Sequence, residues 1–515
     1  MLFQKEEPIL NGQNSCAENF RCAFSPSTFD LSAQVAIEKI SELLRRKKIE
    51  GVTLEQPEDL MSEARGLMTA HSGSDAPFDP ERFSKIIDLY FRTSIKVGST
   101  GYMARQFSSV FPVAAVFDMI TAISPQPASF YEAGQLANVA DKIIAEEFAR
   151  RIGWDPDTCD MITTSGGSLA NLTAVLAARN DRLYASWKTG VTRRNGTPAI
   201  AVSDDIHYSV CRVPGIIGIG QDNIIRLPLN DRRQICVRRA VPILKEALAE
   251  GKDIFCLVIS AGTTPVGAID PLEELADFAE EHGIWLHVDA AHCGAFLLSE
   301  RLRPRLRGIE RADSFCIDAH KTLFVPALCT LLFYRDRSKA RGAFSQEASY
   351  VFDHHENSMT RFESGAKNFE CTKRPAILNL WLIWAMFGPQ VIAQKLEYLV
   401  DLTWDAYSYL SSLPDFATVH EPEANILCFE YRPKGFDSAQ ISELQLTLRD
   451  AIRDGGRFFI SKVEIEGRNV LRIVMMNHEI EMDHIAALIF EIRSKAAEIM
   501  KSWDVQALDG TMVAQ

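Results

Sequence analysis

The chain has no apolar run near the ~20 residues that a helix needs to cross a bilayer. Its first residues, Met1-Leu-Phe-Gln-Lys-Glu-Glu-Pro8, carry neither a basic start nor an apolar stretch of leader length. The expectation is a protein that neither spans a membrane nor is exported. The eleven cysteines are odd in number, scattered and without a Cys-x-x-Cys pair, which removes the usual zinc and disulfide-scaffold spacings. Cys256, Cys316 and Cys428 fall in predicted core strands, so buried free thiols in a reducing cytoplasm are expected. There is no Gly-x-Gly-x-x-Gly loop and no Walker loop, which argues against dinucleotide and P-loop chemistry. Basic clusters with interleaved aromatics are missing and the net charge is −13, so nucleic acid is not an expected partner. The run Asp353-His-His-Glu356 is not read as a metal site, because adjacent histidines do not share a helix face. Repeats and low-complexity segments are also absent.

What is present is an ordinary globular balance: 47% hydrophobic and 24% charged residues in a 515-residue chain, enough for two or three packed units. The middle of the chain alternates strands with helices. One unit reads closely: a buried strand over 254–259, the loop Gly262-Thr-Thr-Pro-Val-Gly267, then a helix with Leu272, Leu275, Phe278 and Ala279 on its apolar face. Asp270 is expected to cap that helix, with Pro271 at its first position and Glu273 closing a capping box. Gly283 ends it before the next strand, 284–288. That is a β-α-β unit, so the two strands should be parallel.

Four segments of this region carry chemistry. Asp313-Ser-Phe-Cys-Ile-Asp-Ala-His-Lys321 reads as a short buried strand with a lysine at its tip. Desolvation and nearby cations lower a lysine's pKa and supply the free amine that imine formation with a carbonyl compound needs. Val288-Asp289-Ala-Ala291 puts a carboxylate at a strand's carboxyl end, where open α/β sheets bind ligands. It would keep a pyridine nitrogen protonated; the alternative is an Asp capping the next turn. Thr164-Ser-Gly-Gly-Ser168-Leu-Ala-Asn171 opens a helix of strong helix formers. Its unpaired N–H groups and positive dipole end suit a phosphate, or it is an ordinary capped helix. Ser203-Asp-Asp-Ile-His207 follows a strand-like stretch, and its imidazole would stack on a flat ring or sit satisfied in the core.

Taken in order, these motifs resemble the group II pyridoxal-phosphate decarboxylases, which act on glutamate, cysteine sulfinate, diaminobutyrate or aromatic amino acids. The resemblance runs from about Gly101 to about Ile499. It implies an α/β protein of fold type I, with a large domain on a mainly parallel sheet and a small C-terminal α+β domain. It also implies pyridoxal 5'-phosphate as cofactor, an amino-acid substrate and a homodimer with its active site at the interface. Lys321 would hold the cofactor as an imine and Asp289 would pair with the ring nitrogen. Ala291 and His207 would lie on opposite ring faces. Gly167, Ser168, Thr264 and Asp318 would surround the phosphate, and His320 would precede the lysine as in the family. Tyr350, in Ala348-Ser-Tyr-Val-Phe352, matches a mobile-loop tyrosine that protonates Cα. It favours simple decarboxylation to an amine over the oxygen-dependent, aldehyde-forming reaction of some relatives, and over a binding protein without catalysis. Arg472, in Asn469-Val-Leu-Arg-Ile473, matches the arginine that binds the substrate carboxylate, or else is a surface arginine on an edge strand. An acidic, sulfinic or short diamino acid is the favoured substrate.

The departures are informative. Asp318 stands where several relatives have asparagine, an extra carboxylate beside a phosphate dianion. Lys373 stands in a segment where relatives pair basic residues, and it lacks an arginine's fork. His292 and Cys293 follow Asp-Ala-Ala where an aromatic and a glycine are commoner. The expected division is 1–115 for dimer-packing N-terminal helices (32–47 and 80–89 among them), 116–390 for the cofactor domain, 391–503 for the small domain and 504–515 for a loose tail. The small domain should hold a long helix over 391–410, strands at 425–431 and 470–474, and helices over 438–452 and 483–500.

Overall fold

A computed structural model describes residues 21–46, 48–69, 78–183, 185–192, 196–344 and 362–512. The chain's first 20 residues, residues 72–77, Tyr350 and the 353–356 run lie outside the described residues.

The main sheet has seven strands: β1 (Asp160–Thr164), β2 (Thr197–Ser203), β3 (Ile224–Leu227), β4 (Lys252–Ser260), β5 (Trp285–Asp289), β6 (Ser314–Asp318) and β7 (Thr330–Tyr334), in the order β1-β7-β6-β5-β4-β2-β3. Neighbours from β3 through β6 pair in parallel, and β7 runs antiparallel to both β1 and β6. This is the mainly parallel sheet of fold type I. The expected β-α-β unit is β4, the helix Leu272–Glu281 and β5, with Ser260 opposite Asp289. Gly283 ends that helix at φ +63°, a left-handed conformation that favours glycine.

The capping box expected there does not form. The helix begins without a side-chain cap. The Asp270 carboxylate instead accepts from the Ile235 N–H at 2.8 Å and the Ser260 N–H at 2.7 Å. Both donors are buried, and a buried N–H without a partner costs more than an uncapped, partly solvated helix start.

The helix Gly167–Arg182 packs Ala170, Ala174, Val175 and Ala178 onto Ile200, Val202, Cys256, Trp285 and Cys316 of the sheet. Each larger side chain buried there contributes about 1.5–3 kcal/mol. Phe315 of β6 and Phe333 of β7 face each other in register, with ring centroids 4.5 Å apart and planes within 8°. The ten described cysteines are all free thiols, and no single described helix is long and apolar enough to cross a membrane.

A second sheet, antiparallel, contains β8 (Phe416–Thr418), β9 (Ile426–Tyr431), β10 (Ser461–Ile465) and β11 (Arg468–Val474), in the order β10-β11-β9-β8. With the helices Gln390–Ser412 and Ser438–Asp454 it is the small α+β layer expected late in the chain. The last helix, Met482–Met512, extends past 503, where a loose tail was expected.

The chain divides into two compact units: Met1–Tyr102 with Leu448–Phe459 and Ala497–Gln515, and Met103–Thr447 with Ile460–Ala496. The expected boundaries at 115 and 390 follow linear order, whereas these units interleave. Within the first, the Gly51 N–H bonds to Gly456 O and the Phe459 N–H to Gly101 O, each at 2.9 Å. Its helix Pro26–Arg45 starts six residues before the expected 32, because Ser25 accepts from the Thr28 N–H as an N-cap and Pro26 follows it.

Candidate active site

The carboxyl ends of β5 and β6 and the start of the helix Gly167–Arg182 converge on a cavity of about 490 Å³. Gly167, Ser168, His207, Thr264, Asp289, Ala291, Asp318, His320, Lys321 and Arg472 all line it. These are all the sequence-predicted site residues except Tyr350. A larger cavity of about 920 Å³, in the other unit, contains none of them.

Lys321 lies on a short turn of helix directly after β6. Its Nζ is 2.7 Å from Asp318 Oδ2. Burial alone would lower its pKa, but Asp318, and more distantly Asp289, outweigh burial and raise it. The depressed lysine pKa expected from the sequence is therefore reversed, because the nearest charge is an anion rather than a cation. Burial likewise pushes Asp318 up, and Lys321, then His320, reverse it to a net lowering. Thr330 Oγ1 donates to the other Asp318 oxygen, and His320 Nε2 lies 3.8 Å away. The extra carboxylate is thus ionised, paired and hydrogen-bonded.

It also sits against the helix start. A Cβ built on Gly167 would lie 3.0 Å from Asp318 Oδ1, so a side chain there would crowd this carboxylate. Gly166, before the helix, holds φ +150°, a glycine conformation. The predicted phosphate site therefore has its backbone donors and glycines in place, with a carboxylate beside them.

Asp289 is buried at the end of β5 and accepts from the Ala291 N–H at 3.2 Å and from Asn171 Nδ2 at 2.9 Å. The turn that Asp289 holds through Ala291 satisfies one oxygen only, so the capping and ligand readings of this residue are compatible. His207 caps the helix Tyr208–Ile216, with Nδ1 2.8 Å from Ser209 Oγ and accepting from the Ser209 N–H. Burial lowers its pKa most, and Asp289 only partly compensates, so the imidazole is neutral with its proton on Nε2.

Arg472 is on β11, inside the sheet between β10 and β9, and is 6% exposed. The edge-strand alternative is excluded. Nε donates to Pro265 O at 2.9 Å and Nη2 to Thr264 O at 2.7 Å. Nη1 reaches Ala104 O at 3.3 Å and Ser461 Oγ at 3.2 Å. The arginine thus also ties down the Gly262–Gly267 loop.

Lys373 does not line the cavity. It is buried, donates to Thr163 O at 3.0 Å and lies 3.7 Å from Asp141 Oδ2. His292 does line it, with Nε2 2.8 Å from Asn425 Oδ1; burial and then Lys321 push its pKa down to about 3.

Sequence reasoning gave no role to Asn171 or His287, and took in Arg105 and Gln106 only as part of the 102–112 stretch expected at the pocket entry. Asn171 is four residues beyond Gly167 and His287 two before Asp289, the spacings that return a side chain to the same face of a helix and of a strand. A polar residue at each of those otherwise apolar positions was the available signal. Arg105 and Gln106 line the cavity from a loop, and no periodicity marks them.

The pyridoxal-dependent decarboxylase conserved domain matches residues 74–432. Cysteine sulfinic acid decarboxylase of Rattus norvegicus is 29% identical over 442 residues, 80% of this chain and 89% of that protein. L-2,4-diaminobutyrate decarboxylase of Acinetobacter baumannii is 24% identical over 460 residues, 85% of this chain and 88% of that protein. Aromatic-L-amino-acid decarboxylase of Bacillus atrophaeus is 29% identical over 349 residues, 68% and 71% of the two chains. Among solved structures, mouse CSAD superposes with a TM-score of 0.83 at 24% identity, covering 91% of this chain and 98% of that one. Oryza sativa TDC with PLP and tryptamine gives 0.82 at 19% identity, covering 93% and 99%. A lysine, a carboxylate and a glycine-lined helix start around one cavity fit pyridoxal phosphate, and the match spans most of the chain: this protein belongs to the pyridoxal-dependent decarboxylases and is a pyridoxal-phosphate-dependent amino-acid decarboxylase, a lyase of fold type I.

Proposed function

We propose that the substrate is an L-amino acid with an anionic side chain, a carboxylate or sulfinate, and that the product is the amine one carbon dioxide shorter. The observation that carries this is the cavity's lining: two arginines, Arg105 and Arg472, share it with Lys321 and Asp289. Two cations suit a substrate with two anions. The sulfinate named for the rat relative belongs to that class.

In this reading pyridoxal phosphate, when bound, draws the electron pair left at Cα into its ring as carbon dioxide departs. Lys321 would hold the cofactor and supply the amine that releases the product. The Asp289 carboxylate would keep the ring nitrogen protonated. Ala291 and His207 would flank the ring, while the N–H groups at Gly167 and Ser168, with Thr264, would receive the phosphate. Arg472 takes the α-carboxylate and Arg105 the side-chain anion. Tyr350, by its place in the sequence, delivers the proton to Cα. We further infer a homodimer. Ile37 and Leu44 of the helix Pro26–Arg45 are 58% and 61% exposed, and Val116 and Ile123 of the helix Pro112–Ile123 are 56% and 66% exposed; apolar faces of this kind suit a second copy.

The test is product identification by mass spectrometry after the cofactor-loaded protein meets a pool of amino acids, including non-proteinogenic ones. An amine from an acidic or sulfinic amino acid is expected. An amine only from a diamino or aromatic acid would overturn the substrate class. The matching aldehyde with hydrogen peroxide would overturn the reaction type. Lys321→Ala should lose both turnover and the bound cofactor's visible absorbance; normal turnover in that variant would sink the assignment of Lys321.

A further inference from the structure

Behind Asp289 lies a chain of buried polar side chains to which the proposed reaction assigns no part. Trp285 Nε1 donates to Ser314 Oγ at 2.9 Å. Ser314 Oγ is 2.9 Å from His287 Nδ1, and His287 Nε2 is 3.0 Å from Asn171 Oδ1. Asn171 Nδ2 then donates to Asp289 Oδ2 at 2.9 Å and to Ser209 Oγ at 3.3 Å. Ser209 Oγ completes the path to His207 Nδ1 at 2.8 Å. Asn171, His287 and Ser314 are each 1% exposed or less.

The donor directions are fixed by exclusion. The Asp289 carboxylate only accepts, so Asn171 must present its amide nitrogen there and its oxygen to His287. His287 therefore donates from Nε2. Burial, the leading cause, holds its pKa well below the usual histidine value, so it is neutral and Nδ1 must accept. The hydrogen it accepts is that of Ser314, whose oxygen is already occupied by the tryptophan N–H. At the other end Ser209 receives from Asn171, and its hydroxyl hydrogen is left for His207 Nδ1. Every side-chain bond in the path then has one consistent sense; the Ser314 carbonyl, 3.2 Å from Nδ1, is the longer contact and would accept only from a protonated Nδ1. Cys316 Sγ, 3.4 Å from Asn171 Oδ1 and 3.6 Å from Asp289 Oδ1, agrees with it; burial pushes this thiol far up, so it stays a donor.

We propose that Asn171, oriented by His287, is a positioning residue: it holds Asp289 as an acceptor for the ring nitrogen and, through the Ser209 hydroxyl, supports the His207 tautomer that the Ser209 N–H already favours. Reversing the Asn171 amide would put an oxygen against the carboxylate and a donor against a donor. The path from Trp285 makes that reversal costly. The inference rests on the reading that the cofactor's ring nitrogen faces Asp289.

The experiment compares binding of pyridoxal phosphate and of its 1-deaza analogue, which has carbon in place of the ring nitrogen, to the full-length apoprotein and its variants. Wild type should prefer pyridoxal phosphate. His287→Leu should weaken pyridoxal phosphate about tenfold, the effect of about one charge-assisted hydrogen bond, and change the analogue less than about twofold. His287→Gln, whose amide can still donate to Asn171, should restore most of the difference. Asn171→Asp, nearly isosteric but an acceptor at both ends, should abolish the preference and guards against misfolding of the leucine variant. Equal losses for both ligands would assign the path to packing alone and overturn the proposal. No preference in wild type would overturn it through its premise, by removing Asp289 from the ring nitrogen, while cofactor binding itself would still be measured.

Discussion

Lys321 Nζ and Asp318 Oδ2 are 2.7 Å apart, so the residue proposed to act as an amine is held as an ammonium by the chain's own carboxylate. That carboxylate also rests against the helix start at Gly167, where a phosphate is expected. Bound pyridoxal phosphate would engage the Lys321 amine, and its phosphate dianion would come near Asp318, so binding would oppose this pair.

Asp318→Asn should therefore bind pyridoxal phosphate more tightly, by about tenfold. Its affinity for pyridoxal, which lacks the phosphate, should rise less, because only repulsion with the phosphate is removed there. Titrating the apoprotein with both compounds checks this. Equal gains would mean that only the lysine's protonation matters.

Arg472→Lys should raise KM more than it lowers kcat, since an ammonium cannot both keep the guanidinium's bonds to the protein and present an N–H to the substrate carboxylate. It should also cost about 2 kcal/mol of stability, because the carbonyls of Thr264 and Pro265 each lose a guanidinium donor. Steady-state kinetics and denaturant unfolding of the same variant check the two effects separately.

Tyr350→Phe should slow amine release or shift product toward aldehyde, because the phenol's proton is no longer available to Cα. The ratio of amine to aldehyde is the measurement; an unchanged ratio and rate would remove Tyr350 from the mechanism.

Asp270 carries a pH dependence. Burial raises its pKa to about 7, against the two N–H bonds that lower it. A folded pKa above the unfolded one means that stability is fullest below the unfolded value and falls as pH rises through the folded one. Stability should thus decline between about pH 4 and pH 7. In Asp270→Asn this slope should flatten, while the stability near pH 4 stays closer to wild type. Unfolding midpoints across that pH range read the difference.

The chemistry was legible in the sequence because its parts are local: a glycine-rich helix start, a strand ending in Asp289, and another ending three residues before Lys321. Strand ends and helix starts follow from periodicity and from Gly and Pro, and an α/β sheet gathers them at one edge. The capping box at Asp270 was misread because two N–H groups distant in sequence, at Ile235 and Ser260, offered a better partner than the helix start. The rise in the Lys321 pKa had the same origin: the neighbours of a lysine three residues along are known, but whether the intervening turn aims Asp318 at it is not. Strand–helix alternation pointed to an α/β protein, and the ordered motifs, through their family resemblance, implied the fold type and the cofactor. Tertiary structure decided which carboxylate neutralises that lysine, that Arg472 is interior, and that Asn171 and His287 stand behind Asp289. Those are facts of burial and direction between segments far apart in the chain, and hydrogen bonds have a direction that no linear spacing encodes.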